Sequence, residues 1–267
     1  MHLPSRTNFL LISNPMNCIS FRRFLFAVAT AGSAFSCQAA PLPTALAPFK
    51  DDIAQRTQAC TACHGSQGRA ASDGYYPRLA GKPAFYLYNQ LLNFKAGRRH
   101  YALMTQLVDP LSDSYLMEIA QYFSQIEASY PAPQRSAASV DVLEKGRVLV
   151  MHGDSARQIP ACIQCHGQAM TGVLPASPGL LGLPRDYLNA QLGAWRTGQR
   201  QAHAPDCMKA VVAKLNDEDI NAASSWLAAQ VVPANAHAVA LRPALAPGVL
   251  AVVCGTAAMP VATKAQP

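Results

Sequence analysis

Long apolar runs, clustered basic residues and aromatic rings are all scarce in this chain of 267 residues. Two apolar stretches, Phe24 to Phe35 and Gly248 to Gly255, fall short of the roughly 20 residues that a membrane-spanning helix needs, so a permanent anchor is not expected. No basic helix or Lys/Arg run accompanies the formal charge of +7, so no nucleic-acid partner is expected. Part of that charge is local: Arg6, Arg22 and Arg23 lie within residues 1–39, which hold no acid, and without them the balance is +4. Aromatic residues make up only 7% against an apolar total of 50%. A chain long enough for one large or two small domains therefore has few rings with which to fill a core.

What the chain does have is one five-residue pattern twice, Cys60-Thr61-Ala62-Cys63-His64 and Cys162-Ile163-Gln164-Cys165-His166. At this abundance of Cys and His, chance would supply about 0.006 such strings. Two thiols three positions apart lie together on one turn, where both can form thioethers along one side of a porphyrin. The adjacent His can then turn its imidazole to the iron as the proximal ligand. The competing reading gathers Cys60, Cys63, Cys162 and Cys165 into a tetrathiolate zinc site, but it leaves both histidines without a role. Two covalently bound haem c groups are expected, and they would supply much of each core.

Arg22-Arg23 followed by the apolar run and the small-residue junction Cys37-Gln38-Ala39-Ala40-Pro41 predicts a signal peptide over residues 1–39, cleaved after Ala39. Export to the periplasm is the expectation. A twin-arginine signal around Ser20 to Leu25 and a lipidation site at Cys37 are the weaker alternatives, and Met16 is an alternative start.

Read in order, residues 40–48 form a Pro/Ala-rich linker, and Phe49 to Ala59 predicts a short amphipathic helix entering the first haem turn. Helices follow over Pro83 to Ala96, stopped by Gly97, and from Ser112 to about Glu127. The second half repeats this order. Gly81, Gln90 and Gly97 recur as Gly182, Gln191 and Gly198 at an offset of 101, and past Gly198 the offset becomes 104, pairing Met104 with Met208. A duplicated domain fits better than a solenoid. The boundaries read as 49–130 for the first domain, 131–140 for a linker, 141–232 for the second domain and 233–267 for a low-complexity, largely disordered tail. Asp141 to His152 and a segment begun by Asn216-Asp217-Glu218-Asp219 are the second domain's helices.

Met104, in irregular sequence, and Met208, in a loop enlarged by three residues, are the candidate sixth ligands. A thioether favours Fe(II) and occupies the position that oxygen would take. His100 and His203, in the same loops, are the rivals. Cys207 reads as an unpaired buried thiol, and Cys254 carries no clear signal.

The first copy then reads Pro77-Arg78-Leu79-Ala80-Gly81, Leu87-Tyr88-Asn89-Gln90-Leu91, Gly97-Arg98-Arg99 and Met104. The second reads Pro178-Gly179-Leu180-Leu181-Gly182, Leu188-Asn189-Ala190-Gln191-Leu192, Gly198-Gln199-Arg200 and Met208. Over residues 49–230 this order resembles the dihaem cytochrome c4 family. The resemblance implies an all-α fold of two tandem class I cytochrome c domains, each enclosing one covalent haem. It also implies that the Pro77 and Pro178 carbonyls accept hydrogen bonds from His64 and His166, which would bind iron opposite Met104 and Met208. The expected function is that of an electron carrier and not an enzyme, working between membrane respiratory complexes and a terminal oxidase or reductase. A cytochrome subunit of a flavin- or quinone-linked dehydrogenase is the alternative, and a dihaem peroxidase a more distant one.

Overall fold

Pro83 and Pro184 open matching helices. Proline fixes φ near its helical value and gives up a backbone donor that a helix start cannot use. In the computed structural model, which describes residues 51–71, 74–240 and 254–260, they precede α3 (Ala84–Lys95) and α8 (Arg185–Arg196). Both helices run out into a left-handed glycine, Gly97 at φ 68° and Gly198 at φ 77°, a conformation that side chains disfavour. In chain order the other helices are α1 (Ile53–Arg56), α2 (Gln58–His64), α4 (Ala102–Val108), α5 (Asp113–Ser124), α6 (Val140–His152), α7 (Ile163–His166), α9 (Cys207–Val212) and α10 (Asp217–Ala228). A two-stranded antiparallel hairpin, β1 (Gly172–Val173) and β2 (Ser177–Pro178), completes the second half.

Two hydrophobic clusters organise these elements. In the first half α3 packs on α5, with Leu87, Tyr88 and Phe94 against Leu116, Ile119, Ala120 and Phe123. In the second, Leu149 and Val150 of α6 meet Leu188 of α8 and Ala223 and Leu227 of α10. The crossing of α6 and α10 requires Gly146, since a Cβ there would collide with the Ala222 carbonyl. Ser112, Ser139 and Asn216 cap α5, α6 and α10 with their side-chain oxygens, and Asn216 forms a full capping box with Asp219. Among the described residues no helix is long and apolar enough to cross a membrane.

Three expectations change. The helix expected over Phe49 to Ala59 is broken at Thr57, whose hydroxyl donates to the Ile53 and Ala54 carbonyls and lets α2 start in a new direction. Met104 lies on α4 instead of in irregular chain, and Met208 likewise sits on a short helix, α9. The tail is ordered where it is described. Cys254 is disulfide-bonded to Cys207, so Cys207 is not an unpaired thiol. Beyond it, Gly255 N–H donates to the Pro205 carbonyl (2.8 Å), and Asn89 bonds Thr256 Oγ1 and the Ala257 N–H (2.9 and 3.0 Å). Ala257 is buried in the first half's cluster. A composition too poor to build its own core is held here by a covalent bond and a borrowed core. The signal peptide and linker (residues 1–48) and tail residues 241–253 and 261–267 lie outside the described residues.

Candidate haem sites

Helix α2 carries Cys60 and Cys63 one turn apart, on one face, and ends on His64. Gly65, at φ 76°, ends the helix where a Cβ would collide with the Ala70 carbonyl. The second turn repeats this plan: α7 ends on His166, and Gly167 follows at φ 86°. His64 Nδ1 lies 2.8 Å from the Pro77 carbonyl and His166 Nδ1 lies 2.7 Å from that of Pro178. A carbonyl only accepts, so each Nδ1 carries the proton and each Nε2 is left with a lone pair fit for a metal. Both rings are 7% exposed, and burial lowers the His64 pKa despite the Pro77 bond. Burial also pushes the Cys162 thiol up to about 12, with Cys165 adding to it. Among the described residues no three His, Cys, Asp or Glu side chains gather as a metal-ion site, so the four motif cysteines do not converge as the zinc reading requires.

Met104 is half-buried against the first cluster and Met208 is half-buried at the start of α9. Asp206 caps that helix through the Lys209 N–H and also accepts from the Ala202 N–H (2.7 Å), closing the enlarged loop. Of the rival ligands, His100 is exposed. His203 places Nε2 3.1 Å from Arg98 Nη2, and burial together with that cation keeps its pKa low.

Between the halves the duplicated arginines cross. The backbones of Arg99 and Arg200 pair in an antiparallel bridge. Arg99 donates to Gln191 Oε1 (2.7 Å) and Gln90 Oε1 (3.2 Å), and Arg200 donates to Gln90 Oε1 (3.0 Å) and Gln191 Oε1 (2.8 Å). Arg200 is 5% exposed, and burial beside Arg99 lowers its pKa. Among the described residues neither guanidinium has a carboxylate within salt-bridge distance. Trp195, stacked on Arg200 at 3.8 Å, buries an Nε1–H with no acceptor. Two adjoining cations and an orphaned donor, with no carboxylate beside them among the described residues, suit anionic oxygens, and the propionates of a haem are groups of that chemistry. Haem thus fits both the cysteine-histidine turns and the polar seam between them. The seam was legible only as a matched offset of 101 residues (Gln90 with Gln191, Arg99 with Arg200), with no sign that the pairs interlock.

No protein-family model matches the chain. It is 38% identical over 213 residues to a thiosulfate dehydrogenase electron acceptor of Thiomonas intermedia, covering 79% of this chain and 93% of that protein. The reduced recombinant cytochrome c4 of Pseudomonas stutzeri superposes with a TM-score of 0.57 at 33% identity, over 66% of this chain and 95% of that one. Thiosulfate dehydrogenase of Marichromatium purpuratum matches with a TM-score of 0.58 at 32% identity over 65% of this chain, which spans only 36% of that longer chain. On these two nearly full-length matches, joined to paired haem turns on a duplicated helical plan, the chain belongs to the dihaem cytochrome c4 family and is an electron-transfer protein with two covalent haem c groups.

Proposed function

We propose that the chain passes single electrons from a dehydrogenase to a later acceptor through two His/Met-ligated haems, one held by residues 49–130 and one by residues 141–232. The observation that carries this reading is the pair of buried imidazoles that close the two Cys-x-x-Cys turns, each fixed at Nδ1 by a proline carbonyl. Each haem, when bound, supplies a one-electron iron couple. The residues' part would be to hold that couple: Cys60, Cys63, Cys162 and Cys165 would tether the groups, and His64, His166, Met104 and Met208 would supply the iron ligands. Arg99 and Arg200 would balance the propionates' charge, and the Trp195 N–H would donate to them. A Met ligand on each iron would leave no open position for a substrate, which is what sets this reading apart from a peroxidase.

The donor reading rests on a relative named as an electron acceptor for thiosulfate dehydrogenase. A membrane respiratory complex as donor and a terminal oxidase or reductase as acceptor remain the second arrangement of the same carrier. The Cys207–Cys254 disulfide supports export to the periplasm, because such bonds persist in oxidising compartments. The test is a reductive titration of the oxidised protein followed in the near infrared. Both haems should show the weak Met-to-iron band, and Met104→Ala and Met208→Ala should each remove one contribution. A bis-His spectrum from either haem would discard the ligand set. Reduction by a thiosulfate-supplied thiosulfate dehydrogenase, at a rate falling steeply with salt, would support the donor.

A further inference from the structure

The haem turns leave one buried cation unexplained. Lys82 is 4% exposed, and its Nζ donates to the Gly179 carbonyl at 2.5 Å, which makes it a first-half side chain seated on the second half's proximal loop. Its backbone is fixed. Gly81, in the left-handed region, donates to the Phe123 carbonyl, and the Lys82 N–H closes a turn on Leu79. The receiving loop is equally tight, because a Cβ on Gly179 would lie 2.5 Å from the Thr171 carbonyl. The next carbonyl back along the chain is that of Pro178, which holds His166 Nδ1.

The arrangement is one-sided. At the offset of 101, Lys82 corresponds to Leu183, a core residue, and Gly179 corresponds to Arg78. Arg78 spends its guanidinium on the carbonyls of Ala80, Ala128 and Ser129 and on the Tyr130 ring, all within the first half and its exit. Among the described residues no carboxylate pairs with Lys82 or Arg78. The ammonium therefore acts on its surroundings unneutralised and, being buried, with little screening.

We propose that Lys82 is a positioning residue for the second haem: its ammonium clamps the Gly179 carbonyl, fixes the Pro178 carbonyl that orients His166, and raises that haem's potential above the value the second half would set alone. This rests on His166 as the proximal ligand. The sign follows from charge, since a nearby cation disfavours Fe(III) relative to Fe(II). Anchoring the Gly179 carbonyl, one peptide further along, holds the Pro178 carbonyl in register with the imidazole proton, and the sign of the shift rests on the charge. Burial, aided by Arg78, draws the Lys82 pKa down to about 7, so the ammonium is maintained at pH 5.5.

The experiment is a haem-by-haem redox titration of the holoprotein by NMR at pH 5.5, with covalent haem counted by mass. Lys82→Met should move the electron partition between the haems about tenfold away from the second, ~59 mV for a one-electron couple, and leave the first haem's potential in place. Lys82→Gln, which keeps a donor but no charge, should shift in the same direction and serves if Lys82→Met does not accumulate. Lys82→Arg should hold the wild-type partition. An unchanged partition in the uncharged variants, or equal shifts of both haems, would overturn the proposal. His166→Gly separately tests the ligand: if the second haem keeps its low-spin spectrum, the assignment of His166 fails, and not that of Lys82.

Discussion

Residues that lead into the first haem turn form the four-residue α1, whereas those that lead into the second form α6, thirteen residues crossing α10 at Gly146. Phe94 lies under Arg99, while its counterpart Trp195 lies under Arg200 and offers a donor. Arg157, Lys145 and the Asn216 cap converge on the buried Asp219 in the second half. The first half's equivalent helix is capped by Ser112 and pairs its exposed first-turn Asp113 with Lys95 (3.0 Å), with no buried acid at that position. The two Cys-x-x-Cys-His turns and their proline carbonyls are thus kept nearly alike, and the supports around them have diverged. Duplication preserves a chemistry, and each copy's framework is then free to set its own stability and potential.

The sharpest way to break the comparison is to remove one attachment. Cys60→Ala with Cys63→Ala should lower the protein's mass by one haem and leave the second in place, and retention of two would refute the assignment. Next comes the tail. Cys254→Ser frees a disulfide spanning 47 residues, which should cost about 4 kcal/mol in denaturant unfolding, chiefly in the second half. Gly146→Ala drives a methyl against the Ala222 carbonyl and should cost about 2 kcal/mol, again without touching the first half's transition.

The smallest effect concerns Asp219. Burial alone would raise its carboxyl, but Arg157, the Asn216 amide and Lys145 outweigh that and leave it below the ordinary 3.8. The unfolded chain therefore binds the proton first as pH drops. The carboxylate's contribution is complete above about pH 4 and is lost as pH falls through the lowered folded value. Asp219→Asn should cost about 1.5 kcal/mol at neutral pH. It should also flatten the acid limb of the second half's melting curve, measured from pH 6 to pH 2.5.

Much of this plan was legible in the sequence because the signals are local. A Cys-x-x-Cys-His string, a proline before α3 and α8, a glycine after each and a Ser or Asn cap act within a few residues, and each recurs in the duplicate. The break at Thr57 was missed because a hydroxyl turning back on its own helix leaves apolar spacing unchanged. The Arg99/Arg200 seam, the reach of Lys82 and the tail's docking join residues about a hundred or more apart, where periodicity carries no information. Cys207 and Cys254 were each visible, but two cysteines in a chain with six others do not announce a partnership.

The docking of Ala257 turns the second half into a span fixed at both ends. It leaves the first half through residues 131–140, and its far end is tied back to α3 through Asn89. The Arg99/Arg200 seam and the Lys82–Gly179 bond already hold the halves together, and the tail adds a further tie across them. An electron passing between haems held by the two halves would accordingly need no reorientation of one half against the other.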